Sequence, residues 1–223
     1  MKDYYARKLN AEKLALCYEI APPRVRQYLE AEINYSLQFV HTKDSVLELG
    51  CGYGRAQKRF AEKGAFVVGI DTSFESLLWG KENRHDLQFV GMNASLLGFP
   101  DHSFDRIFCI QNGLSAFKVE PLNLLGEALR VAKPGGNVVF SSYSERFWKD
   151  CLDWFKIQSR YDLIGEIDDE KTGNGRIVCK DGFTARTIRP DDFLSLTSRI
   201  GIQVKVEEVD DSSIFFVIRV EKE

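Results

Sequence analysis

The sequence predicts an α/β protein with a doubly wound, mostly parallel sheet of seven strands that ends in an antiparallel hairpin. Three observations carry this prediction. Short apolar runs alternate with amphipathic segments from residue 44 to residue 143, as strands and helices do in such sheets. A glycine-rich turn follows the first of these runs. After residue 190 the chain carries a helical pattern and two more short apolar runs joined by a polar turn, which favours a final hairpin.

The composition is that of an ordinary globular domain. The 223 residues are 44% hydrophobic and 28% charged, with a net charge of −3, so there is no general electrostatic attraction for nucleic acid or an anionic membrane. The five cysteines and three histidines are scattered, which argues against a disulfide framework and a metal site. No run approaches the ~20 apolar residues of a membrane span, and the N-terminus lacks an apolar signal core. We expect a cytoplasmic protein.

Residues 1–42 are predicted to form an N-terminal helical lid. One helix covers Ala11–Ile20, and Pro22-Pro23 interrupts the chain and opens a second helix, because proline is tolerated in a first helical turn. The apolar positions of the second helix recur every four residues and predict one buried stripe, made of Val25, Leu29, Ile33 and Leu37. This helical pair precedes the glycine-rich turn and is expected to cover it.

Residues 43–143 are predicted to form a cofactor-binding core. Its predicted strands are Ser45–Leu49, Ala65–Ile70, Leu87–Val90, Asp105–Ile110 and Asn137–Ser141. Its predicted helices are Arg55–Lys63, one that opens at a capping box over Thr72–Glu75, and Pro121–Ala132, which is followed by a tight turn at Lys133–Gly136. Gly64 is a good left-handed cap for the first of these helices.

The last third of the chain is predicted to hold a substrate-cap insertion, residues 144–189, and a segment that completes the sheet, residues 190–223. The insertion is expected to contain a helix over Ser144–Ile164 and a β-hairpin, Arg176–Lys180 with Phe183–Ile188, around a two-residue Asp181-Gly182 turn. The final segment is expected to contain the helix Pro190–Ile200 and an antiparallel pair of strands, Gln203–Val209 and Ile214–Val220.

The glycine-rich turn is the first functional signal. Glycines at 50, 52 and 54 follow the first strand, where glycine permits a sharp turn and close approach of a ligand. In an open α/β sheet, ligands bind at the carboxyl ends of the strands, where the strand order reverses. Dinucleotide enzymes prefer the spacing G-x-G-x-x-G, whereas here it is G-x-G-x-G, with Glu48 two residues before the first glycine.

This E-x-G-x-G-x-G pattern resembles the class I S-adenosylmethionine-dependent methyltransferases. Further segments agree with that family in order: Asp71 after the second strand, Met92-Asn93-Ala94 after the third, Phe99–Asp105 before the fourth and Leu129–Gly136 before the fifth. Asn93 departs from the family, which usually carries an acid there. The resemblance implies S-adenosylmethionine as the methyl donor and S-adenosylhomocysteine as the product.

The resemblance also implies which residues form the cofactor site. The amino-acid end of the cofactor is expected near the turn, and its ribose hydroxyls near Asp71. Adenine is expected beside the residues after the third and fourth strands. The expected cofactor-binding residues are Glu48, Gly50, Cys51, Gly52, Gly54, Asp71, Thr72, Asn93, Ala94, Gln111 and Asn112.

The acceptor is expected under a roof formed by the N-terminal helices and the insertion. Candidate lining residues are Tyr18, Arg24, Tyr143 and Trp148, and Tyr4 and Tyr5 are expected to fold over as a lid. The sequence assigns no catalytic residue, no metal and no oligomeric state. We expect methyl transfer to a small molecule. The alternatives are a methyltransferase acting on a protein or other macromolecule, a noncatalytic S-adenosylmethionine-binding protein and, least favoured, an NAD(P)-dependent oxidoreductase.

Overall fold

A computed structural model describes residues 4–221. Residues 1–3 of the predicted lid and residues 222–223 of the predicted C-terminal segment lie outside the described residues. A seven-stranded sheet with helices on both faces occupies the centre of the molecule, which confirms the predicted fold class. No helix described in this range is both long and apolar enough to cross a bilayer.

The helices and strands follow one another along the chain much as predicted. The helices are α1 Tyr4–Arg7, α2 Ala11–Glu19, α3 Pro23–Ser36, α4 Arg55–Glu62, α5 Phe74–Asn83, α6 Gly113–Ala116, α7 Pro121–Val131, α8 Trp148–Arg160 and α9 Pro190–Ser198. The strands are β1 Ser45–Leu49, β2 Phe66–Asp71, β3 Gln88–Gly91, β4 Phe104–Cys109, β5 Ala132–Tyr143, β6 Arg176–Val178, β7 Thr184–Arg186, β8 Lys205–Val209 and β9 Ser213–Arg219.

The central sheet has the strand order β3-β2-β1-β4-β5-β9-β8. The first five of these strands run parallel, and β9 pairs antiparallel with both β5 and β8. In the middle of the sheet Leu47 lies between Val68 and Ile107. The strand order reverses between β1 and β4, so the crevice that binds ligands in such sheets is expected at the carboxyl ends of these two strands.

Apolar clusters cover both faces of the sheet. On one face Leu47 and Leu49 pack with side chains of α7 and α9, and on the other Val46 packs with side chains of α3 and α4. In the second cluster the rings of Phe60 and Phe108 stack with centroids 4.6 Å apart. Burial on both faces is the reason that the parallel strands are continuous apolar runs and do not alternate.

The N-terminal helices and the insertion share a third apolar cluster, here called the cap core. Its buried members come from residues 4–29 and from residues 143–185. Hydrogen bonds also join the segments: Trp154 Nε1 donates to the Cys17 carbonyl oxygen at 2.9 Å, and the Tyr4 hydroxyl donates to Asp181 Oδ2 at 2.6 Å. Two segments far apart in the sequence therefore form one cover on the sheet.

Two predictions about the core are wrong in detail. The N-cap of α5 is Ser73, whose Oγ accepts from the backbone N–H of Ser76 at 3.2 Å, so the capping box at Thr72 is not formed. The Lys133–Gly136 segment is not a separate turn, because β5 already begins at Ala132. It forms a bulge: Ala132 pairs with Phe104 and the next register position pairs Asn137 with Arg106.

The insertion also differs from its prediction. Its helix begins with a 3-10 turn at Glu145–Phe147, and α8 ends at Arg160, short of the predicted end. The β6–β7 hairpin forms, but Gly182 N–H donates to the Cys179 carbonyl oxygen at 3.1 Å, which closes a turn centred on Lys180-Asp181. Gly182, with φ of +97°, takes the left-handed position after that turn. The predicted two-residue Asp-Gly turn is therefore wrong, whereas the final β8–β9 hairpin is confirmed.

Candidate active site

A cavity of about 540 Å³ lies at the carboxyl ends of the central strands, under the N-terminal helices. Most of the residues predicted to bind the cofactor line it: Glu48, Gly50, Cys51, Gly52, Asp71, Thr72, Asn93, Ala94 and Gln111. They come from the ends of β1, β2 and β4 and from the segment after β3. The sheet topology thus brings together segments that lie up to 63 residues apart, Glu48 to Gln111, on one cavity wall.

The turn after β1 is shaped by its glycines. The backbone N–H groups of Gly50 and Cys51 both donate to the Ile70 carbonyl oxygen, at 2.8 and 2.9 Å, which ties the turn to β2. Gly50 has φ of +75°, and a Cβ there would lie 2.5 Å from a ring carbon of Phe117. A side chain at this position would meet both backbone strain and a collision. The bare backbone leaves the cavity wall open to a ligand.

Asp71 fixes the geometry of the neighbouring wall. Its Oδ2 accepts from the Gly52 N–H at 2.9 Å, and its Oδ1 accepts from the Ser73 N–H at 2.8 Å. The carboxylate therefore joins the glycine turn to the start of α5 while it lines the cavity. Charge-assisted hydrogen bonds of this kind hold a side chain in one orientation.

Glu48 is a buried acid with an unsatisfied oxygen. The residue is 5% exposed, and its Oε2 has no hydrogen-bond partner within residues 4–221. Burial raises the pKa of Glu48 to about 8, although the positive charge of Arg55 acts in the opposite direction. An unpaired polar atom at a cavity wall is costly unless a ligand satisfies it.

The segment after β3 and the end of β4 carry amide side chains. Asn93 Oδ1 accepts from the backbone N–H and the hydroxyl of Ser95, both at 2.9 Å. This leaves the side-chain nitrogen of Asn93 as its group for a ligand. Gln111 Oε1 accepts from the Tyr18 hydroxyl at 3.0 Å, which links the end of β4 to α2.

Two residues predicted to bind the cofactor lie outside the cavity lining. Gly54 has φ of +82°, and a Cβ there would lie 2.7 Å from a ring carbon of Phe89, so it serves the packing of α4 against the sheet. Asn112 is buried, donates from Nδ2 to the Arg186 carbonyl oxygen at 3.0 Å and accepts from the Ser142 hydroxyl at 2.9 Å. It connects the end of β4 to the insertion.

The acceptor candidates divide in the same way. Tyr18 and Tyr143 line the cavity, but Arg24 and Trp148 do not. The Arg24 guanidinium donates to Asp210 Oδ2 at 2.7 Å, and Trp148 packs against the cap core. Arg24 therefore ties α3 to the turn between β8 and β9, and Trp148 belongs to the packing of the cap.

Several lining residues were not predicted. Arg55 opens α4, lines the cavity and lies over the ring of Tyr18, with its guanidinium carbon 5.0 Å from the ring centroid. Its sequence signal was its place directly after the last glycine of the turn. Others come from residues 9–29 and from α8 and have only an apolar pattern in the sequence: Leu9, Leu14, Tyr28, Leu29, Trp154 and Phe155.

A second buried acid lies behind the cavity wall. Glu32 is fully buried on α3, and the Ser141 hydroxyl donates to its Oε1 at 2.6 Å. Burial raises the pKa of Glu32 to about 7, while interactions with the hydroxyls of Ser141 and Tyr28 act in the opposite direction. The sequence signal was an acid next to Ile33 of the apolar stripe. Among residues 4–221 no three histidine, cysteine or acidic side chains are grouped to hold a metal ion.

Comparison with known proteins shows the family to which the chain belongs. Residues 47–140 match the model of a methyltransferase domain. A demethylmenaquinone methyltransferase of Renibacterium salmoninarum is 39% identical over 99 residues, which cover 44% of this chain and 41% of that protein. The match thus spans about two fifths of that relative's length. The same enzyme of Paenarthrobacter aurescens is 40% identical over 105 residues, again 41% of its length.

A longer match comes from the malonyl-acyl-carrier-protein O-methyltransferase of Erwinia pyrifoliae, which is 37% identical over 213 residues, covering 90% of this chain and 79% of that protein. The crystal structure of a protein from Pyrococcus horikoshii has the same fold, with a TM-score of 0.68 at 21% identity over 99% of this chain and all of that one. With a curated methyltransferase aligned along most of both chains and the glycine turn, Asp71 and Glu48 on one cavity wall, the chain belongs to the class I S-adenosylmethionine-dependent methyltransferases.

Proposed function

We propose that the protein transfers a methyl group from S-adenosylmethionine to a small-molecule acceptor. One observation carries the proposal: the unpartnered oxygen of Glu48, the bare backbone of the glycine turn and the Asp71 carboxylate meet in one cavity at the strand-order reversal. The cavity of about 540 Å³ is within the range of small-molecule sites, which is about 300–1,000 Å³.

The residues on this wall fit the methyl donor. Glu48 would accept from its ammonium group, which would satisfy the orphaned Oε2, and Asp71 would accept from its ribose hydroxyls. Asn93 and Ala94 would lie against adenine. A dinucleotide fits less well, because its pyrophosphate would meet the carboxyl groups of Glu48 and Asp71 at the same turn.

The bound donor supplies a methyl group already activated by a positively charged sulfur. The protein then has to orient the acceptor and keep water out, and such orientation is worth on the order of 7–11 kcal/mol. The aromatic side chains on the acceptor side are suited to both tasks. Tyr18, Tyr143, Trp154 and Phe155 form an apolar wall with a few hydroxyl groups.

The enclosure by the cap core supports a small acceptor over a polymer. Residues of α1, α2 and α8 line the cavity from above, so an acceptor has to enter under or between them. By their names, the curated relatives methylate demethylmenaquinone and a malonyl group carried on a protein. We therefore propose that the acceptor is a small molecule or a small group at the end of a carrier.

We also propose where a proton of the acceptor goes. Tyr28 lines the cavity, and its buried hydroxyl interacts with the carboxyl group of Glu32. Glu32 lies one helical turn later on the same face of α3 and has a pKa near 7. A base is most effective when its pKa is near the working pH. Glu32 in its ionised form would take the hydroxyl proton of Tyr28 as the Tyr28 oxygen takes a proton from the acceptor.

The free thiols support a reducing compartment. All five cysteines of the chain are unpaired and buried, as expected for a cytoplasmic location.

Labelled methyl transfer tests the proposed function. We expect incubation with methyl-labelled S-adenosylmethionine and a small-molecule extract to place label in a low-molecular-mass product, and Asp71→Ala to remove most of it. Label in the nucleic-acid fraction, or on the polypeptide of a protein itself and not on a small group that it carries, would favour a macromolecular acceptor. Donor binding without label in any fraction would favour the noncatalytic alternative and overturn the proposal.

A further inference from the structure

A second cavity of about 240 Å³ adjoins the first. The two share Tyr5, Ala116 and Lys118 in their linings, so they meet at these residues. The second cavity continues along the β6–β7 hairpin, where Phe183 and Thr184 line it. It lies on the side of the acceptor compartment and away from the Gly50–Asp71 wall, none of whose residues line it.

Lys118 stands at the junction of the two cavities. Its Nζ donates to the Thr184 carbonyl oxygen at 2.9 Å, which points the ammonium group toward the hairpin. No carboxylate of residues 4–221 forms an ion pair with it. Although Lys118 is exposed overall, partial desolvation of its ammonium group and the nearby charges of Arg186 and Arg176 lower its pKa.

Those two arginines form an unusual pair. Arg176 on β6 and Arg186 on β7 are direct cross-strand partners, so their side chains leave the same face of the hairpin. Thr184, two residues before Arg186, is on that face and lines the second cavity. Like charges directly opposite each other destabilise a strand pair. Within the described chain neither arginine has an acidic partner, and the nearby Asp181 binds Tyr4 and Lys8 instead.

We propose that Lys118, Arg176 and Arg186, here called the basic cluster, bind an anionic group of the acceptor, a carboxylate or a phosphate. The inference rests on the proposed function, since it names the substrate class of the same site. An acceptor of this class has an apolar reacting end in the aromatic compartment and an anionic end at the hairpin. The anion would relieve the repulsion among the three cations, which the free protein leaves uncompensated.

Thermal unfolding with two simple anions tests the basic cluster. Inorganic phosphate and acetate are each compared with chloride at equal ionic strength, for the wild type and for Arg186→Gln, Lys118→Met and the control Arg199→Gln. Arg199 is exposed, follows α9 and has no ion pair in the described chain. We expect phosphate, acetate or both to raise the melting temperature of the wild type and the control. In the two cluster variants the apparent anion affinity should fall roughly tenfold or more.

The melting temperature without added anion shows whether a substitution changes the stability of the fold itself, apart from its effect on anion binding. Because Arg186→Gln removes like-charge repulsion, we expect the free variant to melt no lower than the wild type and up to about 2 °C higher. A response to phosphate alone would identify a phosphate ligand, and a response to acetate alone a carboxylate. No response to either anion, or equal responses in Arg186→Gln and Arg199→Gln, would overturn the proposal.

A parallel titration with S-adenosylhomocysteine keeps the two proposals apart. Arg186 lies outside the cofactor wall, so Arg186→Gln should bind this ligand as the wild type does. Normal binding of S-adenosylhomocysteine with no anion response would remove the basic cluster and leave the proposed function intact. An anion response without S-adenosylhomocysteine binding would leave the basic cluster as an anion site and would remove the proposed function.

Discussion

Two acids at the cavity wall have different surroundings and therefore different roles. Asp71 accepts two backbone N–H groups, so its carboxylate is held in place before any ligand arrives. Glu48 has an oxygen with no partner in the described chain and a pKa raised by burial, so it is predominantly neutral at pH 6.5. A cation that binds Glu48 would favour its charged form. This difference gives each acid a distinct experimental signature.

Proton release on cofactor binding is the signature of Glu48. Because its pKa is about 8 in the free protein and an ammonium ligand would lower it, binding at pH 6.5 should release close to one proton. Calorimetric titrations with S-adenosylmethionine in buffers of different ionisation enthalpy measure that number. Glu48→Gln should bind with no such release. A wild type that releases no proton would remove Glu48 from the ammonium site.

Loss of affinity is the signature of Asp71. We expect Asp71→Ala to weaken S-adenosylhomocysteine binding by about 1–3 kcal/mol, since charge-assisted hydrogen bonds are lost. Asp169→Ala, an exposed acid in the insertion, serves as the control and should bind normally. Equal dissociation constants for Asp71→Ala and the wild type, measured by calorimetry, would place the ribose elsewhere.

At this scale the sequence predicted positions better than contacts. Gly50, Gly52 and Asp71 line the cavity, and their residue types have a direct geometric reason at the end of a strand. Arg24 and Trp148 were misplaced, because their partners lie elsewhere in the chain: Arg24 pairs with Asp210 and Trp148 packs in the cap core. No local sequence pattern predicts such long-range contacts.

The turn between β1 and α4 is the element that shapes the site. Gly50 and Gly52 line the cavity, whereas Gly54 lies behind it and lets α4 approach β3 through Phe89. All three have positive φ, but only the first two have an open side toward the ligand. One short motif therefore combines a ligand wall with a packing contact.

Two glycine-to-alanine changes test the packing role of Gly54. Gly54→Ala should lower the free energy of unfolding by about 1–3 kcal/mol, because φ is +82° and the new Cβ would lie 2.7 Å from the Phe89 ring. Gly126→Ala is the control: this glycine is exposed within α7 and a Cβ there meets nothing within 4 Å. It should raise stability by roughly 0.5–1 kcal/mol. Urea unfolding measures both, and a neutral Gly54→Ala would contradict the packing role.

The elements themselves were well predicted where the pattern was long. The parallel strands and the helices α3, α4, α7 and α9 follow from apolar runs, prolines in first turns and left-handed caps such as Gly64. The errors fall at turns. The β6–β7 turn uses Asp181 and Gly182 in a different register. Lys133–Gly136 lies inside β5 because the residues on both sides of it pair with β4, and the backbone of Gly135 and Gly136 is hydrogen-bonded to Val220. Pairing partners, not local propensity, decide such positions.

On the scale of the whole molecule, the candidate active site lies between two bodies of packed side chains. The sheet with its two faces forms one, and the cap core forms the other. The cap combines residues before β1 with residues after β5, so the sequence indicated two separate covering segments but not that they share one core. Its boundaries as a lid and a substrate cap stay predictions.

The pH dependence of stability tests the buried acids of this interface. Glu32 and Glu48 have pKa values near 7 and 8 in the folded protein, above the ~4.3 of an unfolded glutamate. The folded state therefore holds more protons between these limits, and the free energy of unfolding should fall as pH rises from about 4.5 to 8. The expected loss is of the order of a few kcal/mol. Chemical unfolding of the ligand-free protein at several pH values measures it.

Matched variants show which of the two acids causes the fall in the free energy of unfolding. Glu48→Gln and Glu32→Gln stay neutral at every pH, so each should flatten part of the curve, and the double variant should flatten most of it. Glu82→Gln, which alters an acid on the exposed side of α5, should leave the slope unchanged. A wild type whose stability rises between pH 5 and 8 would contradict the burial of these two acids as uncharged groups.

Calorimetric titration of the ligand-free protein with S-adenosylhomocysteine tests the central claim most directly. The claim is that the cavity bounded by Glu48, the glycine turn and Asp71 holds the methyl donor and its product. We predict one molecule bound per chain with a dissociation constant in the micromolar range or below, and no competition from NAD. The absence of binding at millimolar S-adenosylhomocysteine, or its displacement by NAD, would contradict the claim.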